Sequence, residues 1–130
     1  MADYVTDTHS LLWYFTYPQR LGLQAAAAFA EVDAGNAYLF VPVIVLAEII
    51  FAIESGRFHA QFDPMLRGLQ AISNVQIVDL SLARTLDLRT LTAIPEMHDR
   101  LIVAEALARG LPLITRDQII TASGLVKTIW

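Results

Sequence analysis

One acid in this chain sits in unusual company. From Val43 to Ile53 the sequence reads V-I-V-L-A-E-I-I-F-A-I, and Glu48 is its only polar side chain. An ionised carboxylate buried without a partner is costly, and it either meets a cation or takes up a proton. Three aspartates stand at comparable places: Asp7 and Asp117 follow short apolar runs, and Asp99 opens the run L-I-V-A-E-A-L-A. Each has an ordinary reading. Asp7 suits a helix N-cap, Asp99 complements a helix dipole, and Asp117 suits an Asx turn or a cap. Taken together, the four suggest one divalent-metal site. Oxygen donors without cysteine or paired histidines favour Mg²⁺ or Mn²⁺ over Zn²⁺. Carboxylates crowded at one point would share protons until a divalent ion removes the repulsion. Such an ion can activate water and stabilise the leaving oxygen of a phosphodiester.

The rest of the composition limits the alternatives. The 130 residues fit a single domain over 1–130. Hydrophobic residues make up 55% and mean hydropathy is +0.50, enough to fill a core and leave apolar surface for a partner. The absence of cysteine excludes disulfides and thiolate metal sites. The N-terminus carries Asp3 and Asp7 and no basic region, so a secretory signal is not expected and a cytoplasmic location is. The apolar stretch from Ala37 to Ile53 holds Pro42 and a central Glu48, which favours a strand and a buried helix over a membrane span. Net charge is −4, which alone disfavours nucleic acid. Setting the four acids aside leaves nine cations against nine anions, so a bound metal would relieve that objection.

Strand and helix patterns alternate. Strands are expected at 3–6, 38–41, 75–78, 111–115 and 126–129. Helices are expected at 8–16 before Pro18, at 23–33 before Gly35, and from Pro42 in a first turn to about Glu54. Further helices are expected at 62–72, from a cap at Asp79 or Ser81 through Leu91, from Asp99 to Arg109 before Gly110, and as a short turn after Asp117. The alternation predicts an α/β fold with a parallel sheet covered on both faces. Ligands in such folds bind beyond the carboxyl ends of strands, where the strand order reverses. Asp7 and Asp117 fall at two such ends.

The stretches D-T-H-S-L-L-W at 7–13, A-E-I at 47–49, H-D-R-L-I-V-A-E-A-L at 98–107, L-I-T-R-D at 113–117 and T-I-W at 128–130 resemble the PIN-domain ribonucleases, above all VapC-type toxins of bacterial toxin–antitoxin pairs. The resemblance implies a three-layer α/β/α fold with a parallel five-stranded sheet. It implies a Mg²⁺- or Mn²⁺-dependent endoribonuclease, the toxin of a type II module, with Asp7, Glu48, Asp99 and Asp117 as catalytic metal ligands. It also places Thr115 where a hydroxyl orients water. An RNA substrate, a cognate antitoxin and a homodimer follow as expected partners.

Other polar residues carry weaker expectations. Arg100 and Arg116 adjoin site acids and are candidates for RNA phosphates or for pairing with nearby carboxylates. His9 and His98 flank acids and read first as local hydrogen-bond partners. Glu105 reads as a solvated helix position. Trp13, Tyr14, Phe15 and Tyr17 suit packing more than base stacking. Two rival readings remain. One is a phospho-receiver-like signalling module with Asp79 after the third strand, although a receiver's paired acids and its Lys-Pro are missing. The other is a PIN-like scaffold that binds RNA or a partner without cutting it. No G-x-G-x-x-G, P-loop, G-x-S-x-G or H-E-x-x-H occurs.

Overall fold

The computed structural model describes residues 2–130. Five strands, β1 (Tyr4–Thr6), β2 (Leu39–Pro42), β3 (Val75–Val78), β4 (Leu113–Ile114) and β5 (Thr128–Ile129), form one sheet in the order β3-β2-β1-β4-β5. All neighbouring pairs are parallel. Seven helices flank the sheet: α1 (Thr8–Thr16), α2 (Leu23–Asp33), α3 (Val43–Glu54), α4 (Phe62–Gln70), α5 (Leu82–Leu86), α6 (Met97–Arg109) and α7 (Gln118–Ser123). The result is the three-layer α/β/α arrangement expected from the sequence. Connections through α1–α4 step outward from β1, and those through α5–α7 cross back and step the other way. Right-handed crossovers then put the two helix sets on opposite faces.

The core is built where strand and helix apolar faces meet. Val5, Leu39, Val41, Leu113 and Ile114 from the sheet are fully buried, with Leu11, Val45, Ile49, Leu69 and Ile120 from the helices. Tyr14 lies flat on Phe29, joining α1 to α2 with ring centres 4.4 Å apart. The chain end packs closely on the start of α2: the Trp130 carbonyl accepts the Ala25 amide at 2.9 Å. A Cβ at Gly22 would lie 2.2 Å from that same oxygen, so glycine permits the approach. Among the described residues no helix is long and apolar enough to cross a membrane.

Several boundaries differ from the expected ones. Pro42 ends β2 with φ −58° and ψ 135° and caps α3, instead of lying in its first turn. The helix expected to run through Leu91 stops at Leu86, followed by a 3-10 turn at Asp87–Arg89; Ser81 caps it and Asp79 does not. Helix α6 begins at Met97, ahead of Asp99, because the Glu96 carboxylate accepts the Asp99 amide at 2.8 Å. The strand expected at 111–115 is regular only over Leu113–Ile114, and that at 126–129 only over Thr128–Ile129, although ladder hydrogen bonds reach Pro112, Thr115 and Lys127.

The sheet order also bears on the receiver reading. A receiver's 2-1-3-4-5 order puts its third strand inside the sheet, beside the switch point. Here β3 is an edge strand, and the exposed Asp79 that follows it lies two strands from β1.

Candidate active site

The strand order reverses between β1 and β4, and a crevice opens beyond their carboxyl ends. Asp7 leaves β1 there. Its amide donates to the Ile114 carbonyl of β4 at 3.2 Å, and the Ser10 hydroxyl donates to that carbonyl at 3.1 Å. One Asp7 carboxylate oxygen caps α1 by accepting the Ser10 amide at 3.0 Å. The other accepts the Thr115 hydroxyl at 2.5 Å. Thr115 in turn accepts the Asp117 amide at 3.0 Å, so one buried hydroxyl ties together the acids that follow β1 and β4. Asp117 caps α7 through the Ile120 amide at 2.9 Å. The capping readings of Asp7 and Asp117 are therefore physically realised, and each carboxylate still lines the cleft.

Glu48 reaches the cleft from α3. The sequence suggests apolar surroundings on every side, yet Ile50 and Phe51 are exposed and Glu48 itself is only half-buried. Its face of α3 opens to the crevice, while Val45, Leu46 and Ile49 form the buried face. The Thr8 hydroxyl donates to its carboxylate at 2.5 Å. Asp99 enters from the first turn of α6. Asp7, Glu48, Asp99 and Asp117 thus line one hollow of about 520 Å³, together with Glu96, His9, Trp13 and Arg116.

The electrostatics of the hollow centre on Asp99. Burial raises its carboxyl, and Glu96, Asp117, Glu48 and Asp7 each raise it further, to about 7. Burial also raises Asp7, against the opposing hydrogen bonds from Ser10 and Thr115. Burial pushes Glu96 upward too, but amide hydrogen bonds from Asp99 and His98 and the nearby His98 ring hold it below its ordinary value. Among the described residues no lysine or arginine forms an ion pair with any of the four acids. Two histidines stand nearby: the His98 ring is 3.8 Å from Glu48 and 2.5 Å from Glu96, and His9 opposes the rise at Asp7. Oxygen donors held together without a cation suit a hard divalent ion. The donor atoms already within 4.8 Å of one another are those of Glu48, Glu96 and His98, a tighter group than the four acids themselves make.

Two residues take positions other than those expected. Arg100 does not line the cleft: its guanidinium donates to the carbonyls of Ile94 at 2.5 Å and Leu88 at 3.1 Å, and so braces the loop before α6. Glu105 is not solvated. It is buried and pairs with Arg109 at 3.4 Å, away from the crevice. Thr115 gives its single hydroxyl hydrogen to Asp7, so in this geometry it orients a carboxylate. Arg116 does face the cleft, its guanidinium 5.2 Å from the centre of the Trp13 ring. Glu96 was not singled out from the sequence. Its position three residues before Asp99 was the available signal, obscured because glutamate is not a favoured N-cap type.

The PIN domain family matches residues 4–122. Over 124 residues the chain is 30% identical to Ribonuclease VapC22 of Mycobacterium tuberculosis, covering 91% of this chain and 89% of that protein. The fold is similar to VapBC2 from Rickettsia felis bound to a fragment of promoter DNA, with TM-score 0.68, 20% identity, and coverage of 97% and 96% of the two chains. It is also similar to a toxin–antitoxin complex from Klebsiella pneumoniae, with TM-score 0.62, 22% identity, and coverage of 97% and 95%. Given a family match along nearly the whole chain and a relative of that identity, this protein belongs to the PIN-domain family, in its VapC-type branch.

Proposed function

We propose that this protein is a Mg²⁺- or Mn²⁺-dependent endoribonuclease and the toxin of a type II toxin–antitoxin pair. Kinship to a protein named as a ribonuclease supports the activity. Likeness to toxin–antitoxin complexes supports a protein antitoxin as partner. The observation that carries the reading is the carboxyl of Asp99, raised to about 7 by burial and by four facing acids, in a cleft where, among the described residues, no arginine or lysine pairs with Asp7, Glu48, Asp99 or Asp117.

Asp7, Glu48, Asp99 and Asp117 would hold the ion, with Glu96 and His98 beside Glu48. A divalent ion there supplies Lewis-acid polarisation of the phosphodiester and a more acidic water. The chain's own residues do the positioning. Thr115 orients Asp7 and anchors the Asp117 backbone, Thr8 fixes Glu48, and Glu96 holds the amide of Asp99. Arg116, set over Trp13, offers a cation to an RNA phosphate at the cleft mouth. Arg100 is dropped from that role because it does not line the cleft and two of its five N–H donors hold backbone carbonyls. The exposed side chains Leu80, Leu82 and Leu86 give a second copy of the chain an apolar face for a homodimer. A cytoplasmic location goes with an RNA substrate.

The test is cleavage of single-stranded RNA with Mg²⁺, with Mn²⁺ and with EDTA, for the native chain and for Asp7→Asn. We expect cleavage with either ion, none in EDTA, and a loss of at least about 100-fold in the variant. Full cleavage in EDTA, or an active Asp7→Asn protein, would refute the reading. RNA binding without cutting under every condition would point to the scaffold alternative.

A further inference from the structure

A second hollow of about 710 Å³ adjoins the acidic one and shares Thr8, His9, Glu48 and Glu96 with it. Its volume lies within the range of roughly 300–1,000 Å³ common for small-ligand sites. One wall is a stripe of α3, where Ile44, Glu48 and Phe51 lie on one helical face. Phe51 is 67% exposed, so most of its ring is open to a ligand. Phe58 and Arg57 also line it, as does His98, which lies beside the Glu48 and Glu96 that the two hollows share. Arg57 is exposed, with its Nε donating to the Ser55 hydroxyl at 3.0 Å.

The two adjoining hollows differ in chemistry: acids line the first, and Phe51, Phe58 and the Arg57 guanidinium line the second. Phe51 follows Glu48 by three residues, about 4.5 Å of axial rise, on the scale of a single nucleotide step. Aromatic faces stack any base, and a guanidinium in the same hollow suits a neighbouring backbone phosphate. An apolar peptide would use the rings, but it would make no use of Arg57 or of the walls this hollow shares with the acidic cleft.

We propose that this hollow receives the base next to the scissile phosphate, stacked on Phe51 and Phe58, and thereby influences which RNA positions are cut. The inference rests on the nuclease reading of the acidic cleft, and its test separates the two. Phe51 is exposed and outside the acidic cleft, so Phe51→Ala leaves the fold intact, which a melting temperature within a degree or so of the native one would verify.

The first arm uses a short single-stranded RNA carrying 2-aminopurine at successive positions, bound to the Asp7→Asn protein so that nothing is cut. One position should show strong quenching. Adding Phe51→Ala should remove the quench and weaken binding about 5- to 10-fold, and Phe51→Tyr in its place should restore both. The second arm exposes a random-sequence RNA pool to the otherwise native enzyme and maps the cut ends by sequencing. Base preference at one position beside the cut should flatten several-fold in Phe51→Ala, with cleavage at low RNA concentration falling in step with the loss of binding.

An unchanged quench and an unchanged cutting pattern in Phe51→Ala would overturn the proposal. So would a Phe51→Ala protein that binds and cuts RNA normally but loses affinity for a protein partner, because the hollow would then be a protein-docking groove. Phe51-dependent stacking in a protein that never cuts RNA would support the base site and remove the nuclease reading.

Discussion

Asp99 and Glu105 share helix α6, and the protein treats the two acids in opposite ways. Glu105 is buried within 3.4 Å of Arg109, one turn further along, and the Arg109 guanidinium lies 4.3 Å from the centre of the Phe40 ring. That carboxylate has a cation of its own, and the cation has an aromatic face. Asp99, less deeply buried, faces Glu96, Asp117, Glu48 and Asp7, and its carboxyl is raised to about 7. An acid retained for structure is neutralised from within the chain. An acid in the cleft is surrounded by more acids, and its neutralisation must come from outside. The difference separates a stabilising charge from one available for chemistry, even though both belong to the same helix.

Asp99→Asn tests the cleft end of this contrast most severely. The amide keeps the shape of the side chain and removes the charge. RNA cleavage with Mg²⁺ or Mn²⁺ should fall by about 100- to 1,000-fold, or roughly 3–4 kcal/mol of barrier. The metal-free fold should become slightly more stable at neutral pH, because one of the mutually repelling anions is gone. Cleavage assays beside thermal melts in EDTA would show both. A variant that loses stability and activity together would mean that Asp99 had been supporting the structure all along.

Glu105→Ala addresses the other end and should show the reverse pattern. Removing one partner of a buried pair costs roughly 3–5 kcal/mol when the remaining charge is fully enclosed. Arg109 is partly exposed, so the loss here should be nearer 2 kcal/mol. Urea titration would measure it. Cleavage well below the melting temperature should stay within a few-fold of native, because Glu105 does not line the cleft.

The contrast also shows what a sequence can disclose. Helices α1 and α2 and strand β3 fall where periodicity and their Pro18 and Gly35 punctuation put them, because those signals are local. The four acids could be picked out because each interrupts, follows or opens an apolar run, and they do line one cleft. The surroundings of each acid were harder to read. Glu48 looks enclosed in the sequence, but the face of α3 that carries it opens to the crevice. Glu105 looks solvated, but it is buried beside Pro42, Val43 and Leu101, a set drawn from three elements. Arg100 looks like a phosphate ligand because it adjoins Asp99, while its partners lie 6 and 12 residues back along the chain. Composition and period establish that an element exists and which residues it carries. Packing between elements decides which side chains are left for a ligand, and that information is not local.

The smallest expected effect concerns pH. An Asp99 carboxyl at about 7, against an ordinary value of 3.8, means that the folded chain holds a proton the unfolded chain has already lost. Stability without metal should therefore be highest near pH 4, fall as pH rises toward 7, and level off above it, because the slope follows the excess protons bound by the native state. Asp7 is raised as well and acts in the same direction. Asp99 is partly exposed to solvent, which discounts the loss to about 1–2 kcal/mol. Melting temperatures in EDTA at pH 5.0 and 7.5 would detect it, and Asp99→Asn should remove most of the difference. Mn²⁺ should act in the opposite sense, because an ion binds the deprotonated acids: its stabilisation should grow with pH and reach about 2.7 kcal/mol at one hundred times its dissociation constant. A metal-free protein that gains stability between pH 5.0 and 7.5 would show that the cleft acids are neutralised by the chain itself, as Glu105 is. Asp99 and Glu105 would then no longer differ in kind.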